Sequence, residues 1–487
     1  MALFKLGFFV VIACLSASST ASPTSIGRRS VTVTLDGVNY VNKGLVGFGL
    51  IPHDFKESTG DSLGGIGSAI ALKRGTWAKG SNGTYTGTLL VRPDRGHNID
   101  TTIDYQSRQH EIEFVLTPYT GSENLNFGDA QKTLQLTYKN TTLMFERNNT
   151  KTSGLDALAV RPTQGSDPEL PIPSEEFSHL SLDVEGLVAA PDGTFWISDE
   201  YGPYIYHFSD DGHLVSAIQP PAAILPKDKN GNINFTSVES PTTGRSPNQG
   251  FEGLTLDPEN NILYAMLQSA TIQDGGDDES TSSFTRMVAY NISDDSKQPP
   301  LVGEWVIPLP VSNDKGKTRP SSEITFVSEN IFLSLSRDGK GMGNDDSESK
   351  YKQADLFSIA HATNIQGMKF DDPSNPVAPN GKLDKSITPA KYVSFVDYLN
   401  DDDLKRFGLH NGGNFDETLI DSKWESLALA PVNDPKSPDD YFLFTVADND
   451  FLTTKGVALG IPYDAGIDVN NQFMVFRVTL PRPIAKA

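Results

Sequence analysis

The stretch Asp183–Gln219, DVEGLVAAPDGTFWISDEYGPYIYHFSDDGHLVSAIQ, decides the architecture. Four short apolar or β-branched runs follow one another: GLVAA, TFWIS, YIYHF and HLVSAIQ. Between the first two lies PDG and before the last lies DDG, turns in which Pro presets φ, Asp caps locally and Gly takes the positive φ. No 3.6-residue apolar period runs through the stretch, so it is read as four antiparallel strands. Four such strands in about 35 residues form one blade of a β-propeller.

The unit recurs along the chain, the signature of a repeat architecture. FEGLTLDPENNILYAML from Phe251, SEITFVSENIFLSLSRDG from Ser322 and WESLALAPVNDPKSPDDYFLFTVADND from Trp424 repeat it, and GGIGSAIAL with GTYTGTLLVRPDRG is a looser early copy. The intervals between copies exceed a minimal blade of roughly 40–50 residues, leaving room for insertions or weaker blades. SGLDALAVRP near Ser153, and HEIEFVLTPY with LQLTYKNTTLMF, are candidates for such blades. The expected fold is therefore all-β, a single-domain propeller of six or seven four-stranded blades over residues 31–481, with QFMVFRVTL closing the ring against VTVTLDGVNYV. DGGDDESTSS, GNDDSESK and DDPSNPVAPNGK are polar enough to be solvated loops.

At the N-terminus, Lys5 precedes LGFFVVIACL and small residues ending SSTA, a secretory signal pattern with cleavage expected after Ala21. The apolar run is about half of the roughly 20 residues a membrane span needs. Cys14 is the sole cysteine, so the secreted chain has no disulfide and depends on its core, which this length allows. Sequons at Asn82, Asn140, Asn148, Asn234 and Asn291 suit an extracellular glycoprotein. A net charge of −22 argues against a nucleic-acid partner, which needs a basic footprint. The expected protein is a secreted monomer with a small-molecule ester or phosphate as its ligand, and no membrane partner.

Acids bracket the repeated strands. Glu185, Glu252, Glu323 and Glu425 each open an inner-strand run; Asp199 with Glu200, Asp338, and Asp448 with Asp450 follow second strands, and Asp94 lies in PDRG. Inner strands line a propeller's axis, so a residue repeated at one register becomes a ring. Converging carboxylates repel and raise one another's pKa unless a cation compensates them. Hard oxygen ligands favour calcium or magnesium. Any single Glu of this kind also fits backbone capping or an ion pair with Arg95 or Arg337, and Asp192 and Asp257 are turn residues. The expected metal ligands are Glu185, Glu252, Glu323, Glu425 and Asp448, for a divalent cation, calcium first. Glu200 with Asp199 is expected to transfer protons, and Arg95 and Arg337 to hold developing negative charge. Gly-x-Ser-x-Gly is absent, which disfavours a nucleophile-elbow hydrolase.

The strings GGIGSAIAL, LLVRPDRGHN, DVEGLVAAPDGTFWISDEYGPYIYHFS, GFEGLTLDPENNILYAML, RMVAYNIS, and WESLALAP with FTVADNDF resemble the phytase-like family, also described as having esterase-like activity of phytase. The resemblance spans about Gly44 to Leu480. It implies a β-propeller that hydrolyses phosphate or carboxylic esters. The DAxDDPA and NNVDxR strings of calcium-dependent propeller phytases are missing, the nearest being DDPSNP at Asp371. The EGL turns are also similar in style to gluconolactonase-type propellers, where an inner-strand Glu binds a divalent metal. Two other readings follow: a non-catalytic calcium-stabilised propeller that binds a ligand or protein, and a sugar lactonase.

Overall fold

A computed structural model of the chain describes residues 30–98, 101–294, 298–312, 316–344 and 348–481. The expected leader, 1–21, lies outside the described residues. The stretch around Asp183 folds as read, into Val184–Ala189, Phe195–Asp199, Ile205–Phe208 and Leu214–Ile218, paired antiparallel in that order. Gly193 in the PDG turn has φ +94°, and Asp192 accepts from the Thr194 amide at 3.1 Å.

The propeller has five blades, a correction to the expected six or seven. Their inner strands are Ala69–Leu72, Val184–Ala189, Phe251–Asp257, Ser321–Ser328 and Trp424–Pro431. Each packs beside the next and the last beside the first, closing the ring. The segments that suggested further blades belong elsewhere. Arg108–Leu116 and Leu134–Leu143 are the outer strands of the first blade, and Ala159–Arg161 pairs only with Leu170–Ile172 in a small hairpin. Insertions fill the long intervals: residues 219–250 between the second and third blades, and 359–390 inside the fourth. In the fifth blade, Asn471–Thr479 lies between Asp440–Ala447 and Val38–Ile51, with Val31–Leu35 outermost, so chain-terminal strands share one sheet. Among the described residues no helix is long and apolar enough to cross a membrane.

Each blade is apolar on both faces because each is sandwiched between two others. In Ile262–Leu267, the residues Leu263, Ala265 and Leu267 pack with Trp196 and Ile205 of the second blade, while Tyr264 and Met266 pack with Phe332 and Phe357 of the fourth. That explains near-continuous apolar runs where a half-exposed sheet would alternate. Where inner strands converge, side chains must shrink. A Cβ on Gly253 would lie 2.8 Å from both the amide nitrogen and Cγ1 of Ile324. Gly253→Val is therefore expected to lose about 1–3 kcal/mol by overpacking, read as a lower denaturant midpoint; an unchanged midpoint contradicts this close approach.

Candidate functional site

The inner strands begin, and the second strands end, at one face of the ring, and there each inner strand of blades two to five carries a bulge. Glu252 is inserted between the pairs Phe251↔Leu267 and Gly253↔Met266, and Glu425 between Trp424↔Ala447 and Ser426↔Val446. Glu185 lies in the corresponding irregularity between Val184↔Asp199 and Leu187↔Ile197. A bulge re-aims its side chain. In the fourth blade the inserted residue is Ser322, between Ser321↔Ser336 and Glu323↔Leu335. Glu323 is thus one position late, in the register of Gly253 and Ser426. It turns to backbone, accepting from the Leu254 and Ile324 amides at 3.0 and 2.8 Å, and stands apart from the other acids. A cue lay in the sequence: Glu185, Glu252 and Glu425 precede Gly, Gly and Ser, but Glu323 precedes Ile.

Five carboxylates from three blades meet. Ligand atoms of Asp94, Asp183 and Glu185 lie within 4.8 Å of one another, as do those of Glu185, Glu200 and Glu252. Asp94 and Glu200 follow the second strands of the first two blades; Asp183 and Glu185 open the second inner strand, and Glu252 the third. The corresponding position after the third blade's second strand is Gln268, whose amide donates to Glu252 Oε1. Asp183, Glu185, Glu200 and Glu252 are buried, and Asp94 is half-buried. Asp183 Oδ1, Glu200 Oε1 and Glu252 Oε2 are buried with no hydrogen-bond partner. Asp94, one of the acids expected near this end of the sheets, and Asp183, which the sequence did not single out, join Glu185 as candidate ligands.

Burial and mutual repulsion push these carboxyls up. Burial acts first on Glu185, then the charges of Glu252 and Glu200. On Glu252 burial is followed by Glu200. Glu200 is pushed up to about 8 by burial and then Asp183, with Arg95 opposing. A cavity of about 200 Å³ between the inner strands is lined by Ile70, Leu187, Leu254, Ile324 and Leu427 together with Arg74, Thr255, Glu323 and Thr325.

The other predicted residues divide by role. Asp199 is fully buried with both oxygens engaged, Oδ2 accepting from the Asp183 amide at 2.8 Å and Oδ1 from Gly202 at 3.0 Å; it fixes the SDEYG turn that carries Glu200. Arg95 Nη1 lies 3.0 Å from Asp183 Oδ2 and 2.5 Å from Asn248 Oδ1. On the opposite side acids and cations are paired. Lys423 binds Asp448 and Asp450 at 2.6 and 2.7 Å, and Arg337 pairs with Glu425, so Glu425 and Asp448 are already neutralised. The Nε atoms of Arg337 and Arg319 are buried without a hydrogen-bond partner. The acids of blades one to three thus adjoin a set of ion pairs on blades four and five, with Arg95 the cation beside Asp183. Asp371 of DDPSNP lies away from it, in the insertion packed on the outer strands of the third blade, where Phe370 O accepts from Arg286.

Residues 81–451 match the model of the family described as Phytase-like: Esterase-like activity of phytase. The chain belongs to the phytase-like family. That membership supports a general ester-hydrolase function. A curated relative from Arthroderma benhamiae, described as an uncharacterized secreted protein, is 38% identical over 459 residues, covering 86% of this chain and 89% of the relative. Solved structures similar to this phytase-like chain include virginiamycin B lyase from Staphylococcus aureus, with 10% identity, TM-score 0.29, and coverage of 89% of this chain and 100% of that one. Another is a putative 6-phosphogluconolactonase from Bacteroides uniformis, with 10% identity, TM-score 0.27, and coverage of 83% and 85%. At those scores neither carries weight for function.

Proposed function

We propose that this protein is a secreted, divalent-cation-dependent hydrolase of phosphate or carboxylic esters, acting at the acidic mouth of the propeller axis. The carrying observation is the convergence of five carboxylates from three blades, with buried oxygens on Asp183, Glu200 and Glu252 that lack hydrogen-bond partners. Such buried oxygens fit a hard cation, because mutually repelling acids otherwise stay protonated, and calcium is the first expectation. Asp94, Asp183, Glu185 and Glu252 are the residues that would hold it, with Glu200 beside them as the spare carboxylate; Glu425 and Asp448, already paired, shape the rim. When bound, the ion supplies Lewis acidity toward an ester oxygen and a nearby water.

The chain's own residues supply the rest. Glu200 takes a proton from the attacking water and returns it to the leaving oxygen. Arg95 and Arg337 face the developing negative charge, Arg337 with a free Nε. Asp199 positions Glu200 and Asp183 through the turn. The secreted relative supports an extracellular site of action. The test is turnover of p-nitrophenyl phosphate and short acyl p-nitrophenyl esters with calcium and with chelator. Calcium-dependent release on either ester class supports the reading; chelator-sensitive stability without turnover makes the site a structural ion centre, and ring-opening confined to sugar lactones makes the enzyme a lactonase.

The raised carboxyls set a sign for stability. A carboxyl whose folded pKa lies above its ordinary value contributes stability present at acid pH and lost as pH rises through the folded pKa. For Glu200 that window runs from 4.5 to about 8. The chelated protein is expected to melt several degrees lower at pH 8 than at pH 5, and calcium to recover the difference at pH 8 but little at pH 5. A flat melting profile in chelator, with no calcium response, contradicts it.

A further inference from the structure

The most exposed large apolar side chains among the described residues are Val238, Leu158 and Ile461, at 74%, 69% and 67%; no other exceeds 46%. All three lie in connections on the face where the acids converge. Residues 144–183 lead from the first blade's outermost strand to the second inner strand, and 219–250 from the second blade's outermost strand to the third inner strand. The hairpin that carries Ile461 lies between the second and third strands of the fifth blade. Single apolar side chains at a surface are ordinary, so their placement decides which of them matter.

Leu158 and Val238 are held to each other and to the site. The buried Asp156 joins their two segments: its Oδ1 accepts from the Ser237 amide at 2.8 Å and from Ser237 Oγ at 2.7 Å, and its Oδ2 from Thr236 Oγ1 at 2.6 Å. Gly154 packs so closely on the PDRG turn that a Cβ there would lie 2.1 Å from the Arg95 carbonyl oxygen, and its own carbonyl accepts from the Tyr201 hydroxyl at 2.9 Å. Arg245 braces the second segment, donating to the Tyr201 carbonyl at 2.8 Å and to the Thr236 carbonyl at 3.2 Å. Tyr201 follows Glu200 in the chain, and Arg95 follows Asp94 and pairs with Asp183. The two side chains thus stand on a frame bonded to the neighbours of the converging acids. They offer methyl groups and no polar atom, a surface on which covering a hydrocarbon chain is favourable.

We propose that Leu158 and Val238 form an apolar lip that takes the aliphatic chain of the ester, so that the site prefers medium-chain over short-chain substrates. The assignment of that chain to a substrate rests on the hydrolase reading of the acid cluster. The lip itself rests on the exposure of the two side chains and on the bonds that fix them beside the acids.

Two measurements on the full-length protein with calcium test it. In the first, kcat/KM on p-nitrophenyl hexanoate is expected to exceed that on p-nitrophenyl acetate by about tenfold, and Leu158→Ser with Val238→Ser to cut that ratio by about fivefold or more. Ile461→Ser, equally exposed on the same face but outside the lip, is expected to leave the ratio as in the wild type. The second is calorimetric titration with hexylphosphonate and methylphosphonate, which needs no turnover. The hexyl compound is expected to bind about tenfold more tightly, a preference that the double variant loses. Without turnover of any ester, a hexyl preference lost in the double variant keeps the lip as a chain-binding surface and removes the hydrolase reading. Calcium-dependent turnover with equal kcat/KM on the two esters overturns the lip and leaves the hydrolase reading standing. A hexyl preference that survives in the double variant, one that falls equally in Ile461→Ser, or no phosphonate binding by the wild type also overturns the lip.

Discussion

Glu185→Gln is expected to lower kcat on the ester that the wild type turns over by about 100-fold or more, and to leave a residual rate that chelator no longer affects. Glu185 belongs to both triads of converging oxygens, so its loss opens the site on two sides at once. Stability is expected to move the other way. Burial and the charges of Glu252 and Glu200 already hold the Glu185 carboxyl well above its ordinary value. A neutral amide of the same shape removes one member of a repelling group, so the chelated variant should melt at or above the chelated wild type at pH 8. It should also gain less from calcium. Loss of rate together with a lower melting temperature in chelator would instead mark Glu185 as a folding residue.

Arg286→Met is expected to cost about 3–5 kcal/mol, because it strands two buried acids. Arg286 is fully buried in the third blade. Its Nε lies 2.7 Å from Asp274 Oδ2, and its Nη1 lies 2.8 Å from Glu304 Oε1 and 2.9 Å from the Phe370 carbonyl. Asp274 Oδ1 in turn accepts from the Val377 amide at 2.7 Å, so the guanidinium ties the long insertion of the fourth blade to the third. Burial pushes the Glu304 carboxyl up to about 7, against the pull of Arg286. Removing the arginine takes away the group that favours its charged form. The deficit is therefore expected to be largest above pH 7 and smallest near pH 4.5, where Glu304 is neutral in both proteins. Denaturant midpoints at the two pH values measure it. Replacing all three residues with apolar ones of similar volume should recover much of the loss, as buried ion networks often permit; a single variant with a pH-independent deficit contradicts the electrostatic account.

The amino-acid sequence by itself determined the local units. PDG and DDG turns, runs of paired-strand length and the repeated Glu before Gly-Leu or Ser-Leu identify blades two, three and five, because turn chemistry and strand period are properties of neighbouring residues. Asp192 and Asp257 as turn residues were legible for the same reason: each accepts from amides two or three positions on. The tertiary structure decided how many blades there are, since strand pairing across 159–172 and 108–143 is not written in the strands' own period. It also decided which acids meet. A one-residue bulge re-aims Glu252, whereas in the fourth blade the bulged residue is Ser322 and Glu323, one position later, turns to backbone; a shift of a single position reverses the face a side chain occupies. Asp94, Asp183 and Glu200 come together only when separate sheets close around an axis. Such convergence depends on contacts between residues far apart in the chain, which local spacing does not encode.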